Sequence, residues 1–417
     1  MTNNHALIQQ GQKNIEFAQQ NMGALMNLAK RSAKECTFKN TRIAMSLHLT
    51  KETAVLARVF TGGGAKVAIT SSNLLTTQND VVAALKKQRM EVYGQKGESR
   101  AEYFQHLKKV LEIQPHVIID DGGDLTIEAH KSASRYLRDI IGGTEETTTG
   151  VLRARAMQKD GALRYPVIAV NDNYTKHLMD NYYGTGQSTI DGIMRASNVL
   201  FAGKTVVVAG YGSCGKGVAL RAKGMGSNII VTEVKPFRAL QAVMDGFRVM
   251  SMQQAAPLGD IFITVTGDID VICQQHMTAM KNGAILANSG HFNVEIDMDG
   301  LERLSQKKRR IRPFFDEYTL TGKNENKVIY VVGEGRLANL VAAEGHPSEV
   351  MAMSFCGQAL AVEYLLKNKS KLKPGVYTLP EEIDEEIAIL QLDALNVKFD
   401  SLSTGQKKYL AGWSEGT

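Results

Sequence analysis

Along the first 35 or so residues the apolar positions fall three or four apart, with glutamine-rich faces between them, which predicts helix. From about residue 66 the period changes. Short apolar runs, "KVAIT" (66–70), "HVIID" (116–120) and "YPVIAV" (165–170), alternate with amphipathic stretches. That rhythm predicts a parallel sheet with crossover helices. A longer helical stretch, "TIDGIMRASNVLF" (189–201), reads as a hinge before a more regular series. The series is "TVVVAG" (205–210), "NIIVTEV" (228–234), "IFITVTG" (261–267), "AILANSG" (284–290) and "VIYVVGEG" (328–335). Five apolar strands separated by helices predict a doubly wound α/β sheet. After 345 the pattern is helical again through "PSEVMAMSFCGQALAVEYLL", then comes "KPGVYTLP" and a final helix-like stretch from about 384. No internal repeat interrupts this order.

Composition changes the picture only slightly. A chain of 417 residues exceeds one hydrophobic core, so two or three domains are expected. A net charge of +6 is spread among acids, and the densest run, "KKRR" at 307–310, reads as a solvated helix end rather than a nucleic-acid site. Four cysteines without a CxxC pair argue against a structural zinc or a disulfide framework and fit a reducing compartment. The N-terminus lacks the apolar core of a signal peptide and no run is long enough to span a bilayer, so a cytoplasmic enzyme is the expectation.

The chemistry begins at "VVVAGYGSCGKG", where Gly210, Gly212 and Gly215 follow an apolar strand and open a helix. The turn needs glycine backbone freedom, a pyrophosphate needs close approach, and a helix N-terminus attracts its charge. Glu233 ends the next strand, where a carboxylate accepts from adenosine ribose hydroxyls and repels the extra phosphate of NADP. NAD is therefore favoured, although Lys235 and Arg238 lie close by. The alternative is a tight strand–helix turn without a ligand.

Ligands in open α/β sheets collect beyond the carboxyl ends of strands. After "HVIID" come Asp121 and Asp124, flanking two glycines. After "YPVIAV" comes "NDNYTKHLMDN", in which Lys176 and Asp180 share a face if the piece is helical. "EETTTG" brings Glu145, Glu146, Thr147, Thr148 and Thr149. In "SLHLTKETA" an extended chain would aim His48, Thr50 and Glu52 to one side. Each cluster also has a bland reading: a polar loop, a surface ion pair worth under about 1 kcal/mol, or a solvated strand face.

Together these segments resemble the adenosylhomocysteinase (S-adenosylhomocysteine hydrolase) family. The resemblance rests on "LHLTKETAVL", "TQNDVVAAL", "IIDDGGDLT", "EETTTGV", "VNDNYTKHLMDNYYG", "VVVAGYGSCGKG", "SGHFNVEID" and "GEGRLANLVAAEGHPSEVM", in the family's order. It implies a Rossmann-type NAD domain, residues 185–344, inserted in a discontinuous α/β substrate domain formed by 1–184 and 345–383. A short C-terminal segment, 384–417, would serve oligomerisation, and homotetramers are usual in the family. It further implies reversible hydrolysis of S-adenosylhomocysteine to adenosine and homocysteine with a tightly bound NAD, which is reduced and reoxidised within each turnover.

Residue by residue, Lys176 matches the family's lysine at the 3′-hydroxyl, and Asp180 and Glu146 match the residues that hold the ribose hydroxyls. Asp121 and His48 match the pair that moves protons near C4′ and C5′, in an order the sequence leaves open. His291, in "SGHF", matches the histidine near nicotinamide and ribose; His346, in "GHP", matches the one gating the base and homocysteine channel. Thr147, Thr148, Thr149, Asn181 and Asn339 match positions lining NAD. No metal is implied.

This chain is most similar to the shorter branch found in archaea and thermophilic bacteria. It carries Thr185 where animal members carry cysteine, Arg238 in place of an asparagine that helps bind the adenosine ribose of NAD, and no long Lys/Tyr-bearing tail. One branch prefers S-inosylhomocysteine and carries a lysine near the position of Glu52. A carboxylate there accepts from the 6-amino group of adenine, so adenosine is the expected base. The alternatives are the inosyl thioether as substrate, an NAD-dependent dehydrogenase with net redox, and a non-catalytic binding protein.

Overall fold

A computed structural model describes residues 2–131, 135–321 and 327–413, which build two sheets. The first collects β1 (Arg42–Ser46), β2 (Lys66–Thr70), β3 (Glu91–Val92), β4 (Val117–Asp120), β5 (Gly142–Glu145) and β6 (Pro166–Ala169). The second contains β7 (Thr205–Ala209), β8 (Asn228–Thr232), β9 (Arg248–Val249), β10 (Ile261–Thr264), β11 (Ala284–Asn288), β12 (Ser305–Arg312), β13 (Phe315–Leu320) and β14 (Lys327–Val332). The chain then returns, and β15 (Gly375–Tyr377) pairs with β6 to complete the first sheet, in the order β15-β6-β5-β4-β1-β2-β3.

Every pairing in the first sheet is parallel. Its central strands are buried along their length, because helices cover both faces and leave no solvent side for polar residues. β5 reads "GGTE" and carries no apolar run. A Cβ at Gly142 would stand 2.6 Å from Leu365, so this strand is glycine-rich to admit a helix packed tightly against it.

Register decides where the chemistry gathers. Ser46 pairs with Asp120, Asp120 with Glu145, and Glu145 with Ala169. The residues that follow β1, β4, β5 and β6 therefore leave one sheet edge side by side. In the second sheet Ala209, Thr232, Thr264 and Asn288 align in the same way, so Gly210, Glu233 and the 289–291 loop share the facing edge.

Two sequence expectations are corrected. "KKRR" is no helix end: it lies in β12, an exposed edge strand antiparallel to β13. Arg309 pairs with Glu317, and Arg310 with Asp316 and Glu334, so alternate charges cover the open edge while stapling it to its neighbour. His48, Thr50 and Glu52 do not sit on one extended segment either. β1 stops at Ser46, Thr50 is the residue before the helix Lys51–Gly62, and Glu52 lies in that helix's first turn. A carboxylate there faces the positive end of the helix, which favours the helical conformation over extension.

Candidate active site

Lys176 and Asp180 lie on Thr175–Gly184, a π-helical segment. The wider turn of a π-helix brings residues four and five apart under the same side chain. The Lys176 ammonium accordingly donates to Asp180 Oδ2 at 2.7 Å and to Asn181 Oδ1 at 2.7 Å, with Glu146 Oε1 at 3.7 Å. All four residues are buried. Burial alone would lower the Lys176 pKa, but the Asp180 and Glu146 carboxylates outweigh it and hold the ammonium above the usual lysine range. Burial likewise opposes ionisation of Asp180, yet His346 and Lys176 hold its carboxyl well below the usual range. Glu146 behaves differently. Burial pushes it up to about 7, and Lys176 only partly offsets that. Its two oxygens accept from Ser354 and Gln358 on the long helix Ser348–Asn368.

A second cluster faces the first. His48 Nε2 lies 3.4 Å from Asp121 Oδ2, and His291 Nδ1 lies 3.7 Å from Asp121 Oδ1. Burial pushes the His48 imidazole down to about 4 despite Asp121, and also lowers His291, so both rings are neutral near pH 7. Thr76 Oγ1 sits 2.8 Å from His48 Nδ1 and fixes that ring. Asp121 rides on a glycine turn: a Cβ at Gly122, where φ is +102°, would stand 2.3 Å from His291 Nε2. Only glycine lets the histidine of the second sheet approach the acid of the first. The donor atoms of His48, Asp121 and His291 all lie within 4.8 Å of one another, near enough to share a divalent cation.

Several partners carry no local sequence signal. Glu145 Oε1 accepts from Gly122 N–H at 2.8 Å and Thr147 N–H at 3.0 Å, so one buried carboxyl ties the Asp121 turn to the threonine segment. Ser348 Oγ donates to Glu52 Oε1 at 2.6 Å, joining residues nearly 300 apart in sequence. Thr76, Ser354 and Gln358 are of the same kind. Their roles come from tertiary contact alone.

The nucleotide turn has the geometry its spacing implies. Gly210 has φ of +102°, a Cβ at Gly215 would stand 2.0 Å from Gly210 O, and one at Gly217 would stand 1.9 Å from Tyr182 O. Helix Ser213–Gly224 has no side-chain N-cap, which leaves its first N–H groups free for an anion. Glu233 accepts from the backbone N–H groups of Tyr211, Val234 and Lys235, so it is fixed at the end of β8. Thr148 Oγ1 receives Asn171 Nδ2, and Asn181 Nδ2 donates to Asn171 Oδ1. Thr149 Oγ1 and Asn339 Oδ1 are buried without partners, as polar atoms awaiting a ligand would be. This turn, its open helix end and these orphaned atoms fit a dinucleotide.

Thr50 is buried two residues beyond His48, its backbone N–H bonded to His48 O, and directly precedes the helix that carries Glu52. His346 bridges the two halves of the chain, with Nδ1 2.5 Å from Asp180 Oδ1.

A doubly wound sheet with a glycine turn, set opposite a buried lysine between two carboxylates, defines an NAD-binding α/β enzyme. A profile of the S-adenosyl-L-homocysteine hydrolase family matches residues 2–136, and one of that family's NAD binding domain matches 181–345. The chain belongs to the S-adenosyl-L-homocysteine hydrolase family, and its cofactor is NAD. An S-inosyl-L-homocysteine hydrolase of Methanocaldococcus jannaschii is 54% identical over 411 residues, covering 99% of this chain and 98% of the other. An adenosylhomocysteinase of Aquifex aeolicus is 54% identical over 413 residues, with the same two coverages. One from Sulfolobus acidocaldarius is 52% identical over 412 residues, again at 99% and 98%.

Proposed function

We propose that this enzyme catalyses the reversible hydrolysis of S-adenosyl-L-homocysteine to adenosine and L-homocysteine. The observation that carries the reading is the placement of two acid–base clusters beside one dinucleotide turn: Lys176 between Asp180 and Glu146, and Asp121 between His48 and His291. NAD, when bound, supplies oxidation of the 3′-hydroxyl and its reversal, which makes the C4′ proton acidic in between. Lys176 takes and returns the 3′-hydroxyl proton, while Asp180 and Glu146 hold the ribose hydroxyls. Asp121 and His48 move the protons at C4′ and C5′ as homocysteine leaves and water adds. His291 closes over the ribose, and His346 lines the path of base and homocysteine. Thr147, Thr148, Thr149, Asn181, Asn339, Glu233 and the glycines of the turn hold NAD.

Glu52 supports the adenosyl over the inosyl thioether. It is buried, receives Ser348 on one oxygen and keeps Lys51 at 3.6 Å. A carboxylate so placed accepts from a 6-amino group and leaves a 6-oxo group unpaired, about 1–3 kcal/mol or ten- to hundredfold in selectivity. The 54% identity to a relative named for the inosyl thioether favours the second reading enough to require both substrates in the assay.

The domains we propose are 1–184 and 345–383 for substrate, 185–344 for NAD and 384–417 for assembly. β15 joining the first sheet and Ile190 and Ile193 packing into the second core support that division. A homotetramer is supported by Phe399, Leu402, Tyr409, Leu410 and Trp413, which are apolar and exposed near the C-terminus; light scattering would measure it. Four free cysteines support a cytoplasmic location; among the described residues no helix is long and apolar enough to cross a membrane.

Purified protein is incubated with S-adenosyl-L-homocysteine, and separately with the inosyl thioether, without added NAD. Adenosine and free thiol released without accumulating NADH support the reading. Stoichiometric NADH release supports a dehydrogenase instead, and comparable turnover of the two thioethers defeats the role given to Glu52.

A further inference from the structure

The Asp121 turn has little to hold it from within. Gly122 and Gly123 follow the acid with φ of +102° and +83°, and neither brings a side chain to pack. Glycines make the tight turn possible but leave it conformationally free, so its orientation comes from outside contacts. On the strand side, Glu145 Oε1 accepts from Gly122 N–H at 2.8 Å. On the other side stands Arg153, from the helix Thr148–Lys159. Its Nη1 donates to Gly122 O and, at 2.8 Å, to Asp124 Oδ1. Both hydrogens of that nitrogen are used, and the Gly122 peptide is gripped at its N–H and its C=O. The Tyr103 hydroxyl donates to Asp124 Oδ2 at 3.1 Å, which steadies the carboxylate for Arg153. The helix comes this close because Gly150 lacks a Cβ; one there would stand 2.1 Å from the Glu145 carboxyl carbon.

The same guanidinium reaches the second sheet. Arg153 Cζ lies 5.8 Å from the centre of the Phe292 ring, within cation–π range. That ring meets the His291 imidazole edge to face, with centroids 4.6 Å apart. His291 Nδ1 in turn lies 3.7 Å from Asp121 Oδ1. Arg153 therefore touches both the loop that carries the acid and the loop that carries its histidine. We propose that Arg153 is a positioning residue for proton transfer at C4′, clamping the Asp121 turn and, through Phe292, tying it to the His291 loop. The inference rests on the hydrolase reading in one respect, that Asp121 moves the C4′ proton. A guanidinium suits this task because its planar fork serves two oxygens while its face rests on a ring, whereas an ammonium is a point charge. None of these contacts involves Lys176, Asp180 or Glu146, so loss of the clamp falls on the second cluster and spares the first.

The test uses NAD-loaded enzyme with adenosine in D2O, as wild type, Arg153→Met, Arg153→Lys and Phe292→Leu, reading cofactor absorbance and C4′ deuterium together. Methionine keeps a stem over Gly123 and removes the donors. In Arg153→Met, cofactor reduction should stay within about twofold of wild type while C4′ exchange slows about 10²-fold, the scale of an ångström's misplacement. Arg153→Lys keeps a charge and a donor and should recover about tenfold of that loss. Phe292→Leu should slow exchange by less, and adding Arg153→Met to it should cost less than the two separate losses multiplied together. Without substrate, amide hydrogen exchange over residues 121–124 should rise in Arg153→Met and stay unchanged over 205–212. An equal loss of both partial reactions in Arg153→Met, with no rescue by lysine, overturns the proposal. So does unaltered amide exchange in the turn, and losses that multiply in the double variant overturn the link through Phe292. If adenosine reduces no cofactor in wild type while the turn loosens as expected in Arg153→Met, the hydrolase reading fails and the clamp stands.

Discussion

The Lys176 and Asp121 clusters lie at one sheet edge and are built in opposite ways. Lys176, Asp180 and Asn181 come from one π-helical segment, touch at 2.7 Å, and have their charges fixed by one another. Asp121, His48 and His291 come from three separate loops, stand 3.4 to 3.7 Å apart, and include two imidazoles that burial keeps neutral. Tight, charge-compensated contacts hold a ligand in one pose. Looser contacts to a neutral base leave a lone pair ready for a proton. The difference accords with the proposed reaction, in which the first cluster holds the ribose and exchanges the 3′-hydroxyl proton while the second moves protons at carbon.

The largest expected effect breaks the first cluster at its centre. Lys176→Ala should lower kcat by about 10²–10⁴-fold, the range of a lost general base. Retention of wild-type turnover would remove Lys176 from the mechanism. Glu52→Gln should sharpen the picture of the base pocket, cutting the preference for the adenosyl thioether by about tenfold as an obligate acceptor becomes an ambivalent amide. Competition between the two thioethers in one reaction reads it directly. The smallest effect concerns stability. Glu146 has its pKa raised to about 7, so the folded state binds its proton more tightly than the unfolded chain does. Its contribution is complete below the unfolded pKa near 4.5 and is lost as pH rises through about 7. Glu146→Gln should flatten that part of the melting-temperature profile. A variant with the wild-type slope would mean that Glu146 is ionised throughout.

The alternation of apolar runs made the parallel strands of both sheets and the nucleotide turn legible, because strands buried on both faces and a GxGxxG turn leave continuous local patterns. β5 and β12 were not legible. One is glycine-rich for close packing and the other is charged because it is an edge, and neither carries an apolar run. In the site, Lys176 and Asp180 could be paired from their spacing, whereas Glu146 with Gln358, and Glu52 with Ser348, join residues more than 200 apart. The resemblance supplied roles for single residues, but nothing in a linear sequence brings Arg153 to Gly122 and Phe292.

The division of labour is tested most directly by turnover of adenosine in D2O with Asp121→Asn, following cofactor absorbance and deuterium at C4′ together. The account expects cofactor to be reduced as in wild type, while C4′ deuterium incorporation slows by at least about 10²-fold. Wild-type exchange in this variant, or loss of cofactor reduction along with exchange, would contradict the separation of the two clusters.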